Sequence, residues 1–511
     1  MAEREWREAS DMRPSRLGLL LVLAVAAALR FWALGHGIPH ALSVDEPEIV
    51  ERALRMMRAG TLNPHFFDYG QLLIYIQFLV SVVRFIVGSV TGAWDSLGQV
   101  TSDSFYLWGR AVIASFGVAT VFVVFRIGLR WGARHALLAA ALMALMPLHV
   151  RYSHYVLTDV PLTFFVALTM LMALSAHERP AIRSFAIAGA MAGLAAAVKY
   201  NGGLALLMPL VACWMTPSAR PSRMTCTLAS IGAAAAAFFL TAPFTILDLP
   251  GFLDRFASLT AEYRTGATPA EAGIIIYLKH LRLQFGMPGM LLITGGLLMG
   301  LVRALRGPGR VSWAVALVFT IPYFLIVADQ RIIYARYMLP LVPMLCVLAA
   351  AAVISGVSLL RRYQFPRGVR TALIAGLTIA LLGPPAATSV GFNRIIARES
   401  TTDLAYRWIM ENVPEGSRIV QEGNHLTFPP RYESQRVRQL RQVTYEEHVA
   451  SGADYLIASS QAYGPYLESP TRFREEFTAY MTLFTRGQEV ARFTASDEHP
   501  GPELRIVKVR P

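Results

Sequence analysis

Long apolar runs restrict the fold of this chain more than any motif in it. Stretches such as "VPLTFFVALTMLMALSA" (160–176) and "VSWAVALVFTIPYFLIVA" (311–328) carry no charged residue. A helix of about 20 such residues crosses roughly 30 Å of hydrocarbon. Inside hydrocarbon every backbone N–H and C=O must be paired within the segment, which selects helices. With 54% hydrophobic and 16% charged residues and a mean hydropathy of +0.44, the chain fits a polytopic membrane protein better than a globular class. The formal net charge of +13 does not gather into a nucleic-acid-binding patch; it is spread as short Arg clusters between apolar runs, the form of a topology code. Cys213, Cys226 and Cys346 lie in or beside apolar runs at unrelated spacings and read as packing residues. The first apolar run lacks a small-residue cleavage site and reads as a retained helix.

Arg4, Arg7, Arg13 and Arg16 precede the first run, 17–34, so the positive-inside rule places the N-terminus in the cytoplasm and the following loop outside. The segment "QLLIYIQFLVSVVRFIVG" (71–88) then decides the threading. If it crosses, the later basic loops change side. If it lies in the interface, the clusters Arg126/Arg130/Arg134, Arg179/Arg183, Arg220/Arg223, Arg303/Arg306/Arg310 and Arg361/Arg362/Arg367/Arg370 all face the cytoplasm. The second arrangement is the expected one. It gives eleven spans, near 17–34, 105–128, 135–151, 160–176, 183–198, 201–216, 226–243, 287–304, 311–328, 337–357 and 371–390. The expected fold is therefore mainly α: a polytopic helical bundle over 1–390, with 35–104 as a first outer loop carrying surface helices and 244–286 as a second. Residues 391–511 are expected to form a small extracytoplasmic α/β domain. "ESTTDLAYRWIMENVPEGSRIVQEGNH" reads there as helix, turn and strand, and "ADYLIAS" and "ELRIVKV" as further strands.

This threading brings both acids and bases to the outer ends of spans: Asp45 and Glu46, then Arg151, His154 and Asp159, then Lys199, Tyr200 and Asn201, then Asp329, Arg331, Arg336 and Tyr337. Each has an ordinary reading. Asp159 can cap a helix, Lys199 can snorkel, Arg336 can meet any anionic lipid, and His154 can be a structural partner. Together they suit a substrate with a phosphate, which Lys and Arg bind, and a hydroxyl, whose proton a carboxylate takes. Ionisable residues at membrane depth generally mark such a site.

The strings "SVDEPEIV", "NPHFFDYGQLLIY", "GRAVIASFGVATVFVVFRIGLRWG", "SHYVLTDVPLTFF", "GLAAAVKYNGG" and "RYMLPLVPML", in this order, resemble the GT-C class of membrane glycosyltransferases, in particular the family 39 branch of protein O-mannosyltransferases and aminoarabinose transferases. The resemblance implies transfer of a hexosyl or pentosyl group, with inversion, from a polyprenyl-phosphate carrier to a protein, glycolipid or polysaccharide acceptor on the outer face of the plasma membrane, the inner membrane in bacteria. It implies Asp45 as the general base, Glu46 as an acceptor- or metal-orienting group, Asp159 as the acidic wall, and Lys199, Tyr200, Arg336 and Tyr337 around the carrier phosphate, with His154 and His65 nearby. Two departures bear on acceptor choice and on a divalent metal. "DYGQLL" (68–73) stands where many members have Pro-Pro, and His65 is differently spaced from the histidine of the mannosyltransferases. Asp45, Glu46, His65 and Asp68 are the candidate ligands, at spacings that match no recognised metal motif. A lipid or solute transporter is the rival reading; it would carry mid-span charges at broken helices and repeated halves.

Overall fold

The computed structural model describes residues 15–39, 45–100, 102–217, 221–265, 271–307, 309–362, 366–423 and 426–510; Arg4, Arg7, Arg13 and Arg220 lie outside them. The chain divides into a helical unit, 1–32 with 48–390, and a second unit, 33–47 with 391–511.

The helical unit holds α1 (Arg16–Phe31), α2 (Glu46–Ala59, whose first two residues belong to the second unit), α3 (Leu72–Val90), α4 (Asp103–Gly128), α5 (Ala133–Leu145), α6 (Pro147–Tyr152), α7 (Asp159–Glu178), α8 (Ile182–Val198), α9 (Leu207–Met215), α10 (Arg223–Thr241), α11 (Phe244–Leu247), α12 (Leu249–Thr265), α13 (Gly273–Leu305), α14 (Arg310–Ala328), α15 (Val342–Arg362) and α16 (Arg367–Ile396, whose residues from Gly391 belong to the second unit). Among the described residues eight helical segments are long and apolar enough to cross a membrane, and each of the eleven expected runs falls on helix.

Local chemistry explains the breaks. The expected run 135–151 is two helices because Pro147 has no N–H to continue α5. The carbonyls of Met143 and Ala144 at that break accept instead from the fully buried Arg30 guanidinium, at 3.1 and 2.9 Å. The expected loop 244–286 is largely helical. α12 occupies its middle, and α13 starts at Gly273 and bends at Gly286, whose φ of 67° lies in the left-handed region. The charges of Lys279, His280 and Arg282 hid that start, because hydropathy alone begins the helix only after them.

Helices meet where side chains are small. On α8, Gly189 and Gly193 lie one turn apart, and a Cβ on either would stand 2.1 Å from the carbonyl oxygen of Ser230 or Ala234 on α10. This is the small-xxx-small approach of membrane helices. α3 meets α4 differently. Gln77 packs over Gly109, while Arg84 lies 4.4 Å from the Trp94 ring and 5.6 Å from that of Trp108, and Trp94 stacks on Phe105 at 5.4 Å.

The second unit has a five-stranded sheet of β1 (Arg418–Glu422), β2 (Glu433–Val437), β3 (Tyr455–Ser459), β4 (Gln488–Phe493) and β5 (Leu504–Lys508) in the order β2-β1-β3-β5-β4. The first three strands are parallel, β5 runs antiparallel to β3, and β4 antiparallel to β5. Side chains alternate between two cores: Val420, Leu456 and Val507 on one face, and Ile419, Ile457 and Ile506 on the other. α17 (Thr401–Asn412) and α18 (Tyr445–Ala450) begin in capping boxes, Ser400 with Asp403 and Thr444 with Glu447. α19 (Ser460–Glu468) and α20 (Arg474–Arg486) complete the helices. Glu422, at the end of β1, is buried and accepts from Leu440 N and Ser459 N, each at 2.8 Å, and from the Tyr480 hydroxyl. Burial pushes its carboxyl above the ordinary range, while the three donors pull it down.

Candidate active site

α7 starts at Asp159, and Thr158 takes the cap position without a side-chain bond. Asp159 is therefore spared for another task. Its side chain is only 3% exposed, and it accepts from Lys199 Nζ at 3.0 Å while Arg336 Nε stands 3.8 Å from its other oxygen. Lys199 comes from the extended residue that ends α8, and Arg336 from a 3₁₀ turn, Ala335–Leu341, ahead of α15. Three segments far apart in sequence thus place one carboxylate between two cations. Lys199 does not snorkel; its ammonium points inward and also lies 4.4 Å over the Tyr337 ring.

This cluster borders a cavity of about 300 Å³ lined by Lys199, Tyr200, Asn201, Tyr337, Asp68 and, from α12, Phe256, Leu259, Tyr263 and Arg264. Tyr263 and Tyr337 share a hydrogen bond of 2.6 Å between hydroxyls, tying α12 to the Arg336 turn. Tyr200 directs its hydroxyl at the carbonyls of Phe67 and Tyr69, at 3.0 and 2.9 Å. The neighbouring Gly70 sits so close to α8 that a Cβ there would be 2.0 Å from Ala197 O. Glycine in "DYGQLL" is thus required by backbone contact, which a proline at that position would not allow.

The other candidates are placed as follows. Asp45 is half-buried in the turn before α2, and Glu46 opens α2 with its side chain buried. His154 is buried, its ring nitrogens 2.8 and 3.0 Å from the carbonyls of Val150 and Trp32, and it does not line the cavity. His65 is exposed with φ of 46°, its N–H held by Asn63 Oδ1. Asp68 is paired with Arg255, which also reaches Glu262. Among the described residues no three His, Cys, Asp or Glu side chains converge as a metal would require. Sequence reading missed Tyr263, Arg264 and Arg255. The available signal was the helical spacing of Phe252, Phe256, Leu259 and Tyr263 in a segment assigned to a loop.

Residues 66–255 match the family described as dolichyl-phosphate-mannose-protein mannosyltransferase, a span that includes Asp159, Lys199 and Tyr200 and leaves out Asp45 and Arg336. The structure is similar to ArnT from Cupriavidus metallidurans, both in the apo state (TM-score 0.57, 15% identity, 96% of this chain and 97% of that one) and bound to undecaprenyl phosphate (TM-score 0.56, 16% identity, 96% and 98%). The chain has the GT-C fold. A further GT-C structure, the Archaeoglobus fulgidus oligosaccharyltransferase in complex with Zn and sulfate, is similar at TM-score 0.55 with 14% identity, over 95% of this chain and 72% of that one. No curated protein matches the sequence. The GT-C fold and the many apolar helices make this a multi-pass membrane protein.

Proposed function

We propose that this GT-C chain is an inverting glycosyltransferase that takes a sugar from a polyprenyl-phosphate carrier and places it on an acceptor hydroxyl at the outer face of the membrane. The observation that carries the reading is the Lys199–Asp159–Arg336 cluster beside a cavity walled by α12. Two cations against one carboxylate leave a net positive charge, and a phosphate diester is the ligand that balances it. The ArnT structure bound to undecaprenyl phosphate supports the same ligand class. In the proposed reaction, Asp45 takes the acceptor proton as the acceptor oxygen bonds to the sugar carbon. The bond from that carbon to the carrier oxygen breaks, and its electron pair leaves with the polyprenyl phosphate. The leaving phosphate gains charge in the transition state, so Lys199 and Arg336 bind it more strongly there than in the ground state. One displacement without a covalent sugar intermediate inverts the anomeric centre. Tyr337 orients Lys199 through its ring face, Tyr200 holds the 66–70 loop, and Glu46 orients the acceptor beside Asp45. α3 is read as lying at the outer surface, which keeps the basic loops together in the cytoplasm and residues 391–511 outside.

The decisive assay supplies purified protein in vesicles with a labelled polyprenyl-phosphate sugar and a panel of protein, glycolipid and polysaccharide acceptors. The expected result is an inverted glycoside together with free polyprenyl phosphate. Movement of the labelled lipid between leaflets without any product would replace this reading with that of a transporter.

A further inference from the structure

A second cavity of the helical unit, about 600 Å³, opens between α1, α5, α15 and α16. It lies toward the far end of α15 from the Arg336 turn, since its α15 residues start eleven positions past Val342, or about 17 Å along the helix. Leu21, Leu137, Ala141, Val357 and Ile374 form its apolar wall, and Arg134 stands at its rim. Leu21 is 59% exposed, so the slot faces outward from the bundle, where a membrane protein meets lipid. At the same end each of α1, α5 and α16 carries arginine, Arg16, Arg134 and Arg367 with Arg370, and segments 15–22, 131–141 and 353–378 contain no Asp or Glu.

We infer that this slot holds an anionic glycerophospholipid of the surrounding bilayer, one acyl chain lying along Leu21, Ala141 and Val357 and the phosphate headgroup against Arg134. The apolar wall selects a hydrocarbon chain, and the arginines at this end of α1, α5 and α16 select a negative headgroup. The lipid joins four helices that are distant in sequence, so its binding raises the stability of the bundle by mass action. This site is separate from the Asp159 cavity and stands whether or not the proposed transfer reaction does.

The test uses the full chain in detergent with phosphatidylglycerol or phosphatidylcholine added, reading retained lipid by native mass spectrometry and Tm by thermal unfolding. Phosphatidylglycerol is expected to be retained in preference and to raise Tm. Arg134→Gln should weaken its retention about fivefold, which corresponds to about 1 kcal/mol for one basic residue near the membrane surface. Ala141→Phe, which fills the slot from its wall, should abolish it; should that variant not fold, Leu21→Asn makes the exposed part of the wall polar and serves the same purpose. Equal retention of the two lipids by the wild type overturns the inference, and so does undiminished phosphatidylglycerol retention in Arg134→Gln or in the slot-wall variant.

Discussion

Asp159 sets the charge balance of the candidate site. Its carboxylate is nearly dry and serves both Lys199 and Arg336. Removing one member of such a buried set leaves uncompensated charge, typically at about 3–5 kcal/mol. Asp159→Asn should therefore lower thermal stability by about 3 kcal/mol, and polyprenyl phosphate should recover more of that loss than it adds to the wild type, because it supplies the missing negative charge. A Tm in Asp159→Asn equal to that of the wild type would show that the pairing contributes nothing. Asp45→Asn keeps the shape of the side chain and removes only the proton acceptor. Turnover should drop by about 10²-fold or more, the usual contribution of a general base, with membrane insertion and Tm unchanged. Near-normal turnover would remove Asp45 from the mechanism. The sequence led to the expectation that acids and bases share one face, because loop ends can be sorted by side. It did not show that Lys199 and Arg336 converge on the same carboxylate, since that depends on how α7, α8 and the Ala335–Leu341 turn pack.

Among the elements, α8 and α3 make the clearest claims. Gly189 and Gly193 allow α8 to touch the α10 backbone, so Gly193→Leu should overpack that contact and cost about 1–3 kcal/mol. Thermal unfolding of the detergent-purified protein checks this, and an unchanged Tm would mean that the helices separate without penalty. α3 is apolar enough to span a membrane by composition alone, and the proposed threading instead lays it in the interface, with Arg84 over the rings of Trp94 and Trp108. A cysteine replacing the exposed Ser96 should accordingly react with an impermeant maleimide on intact cells. Reaction only after permeabilisation would make α3 a crossing helix. The apolar runs revealed most of these helices because hydrocarbon leaves the backbone no alternative. α12 escaped because its apolar residues recur at helical spacing inside a segment too polar to be a span.

At the scale of the whole molecule, the strands expected near 418, 455 and 504 are present, since their alternation of apolar residues serves two cores at once. β2 and β4 escaped because both are edge strands and none of their side chains is buried. The inclusion of 33–47 in the second unit had no signal in composition at all. Glu422 is the polar centre of that unit. Glu422→Gln, which sets an amide N–H₂ against one of three donors, should lower its stability by about 2 kcal/mol while leaving polyprenyl-phosphate affinity unchanged; calorimetry and lipid binding together separate the two effects. The account as a whole depends on Lys199 and Arg336 forming a phosphate site. The most direct measurement is the dissociation constant of polyprenyl phosphate for the wild type and for the double variant Lys199→Met/Arg336→Met, with folding verified by Tm. Two lost charge-assisted hydrogen bonds, at about 1.5–3 kcal/mol each, predict affinity weaker by about 10²-fold or more. Equal affinity in a folded double variant would contradict the account.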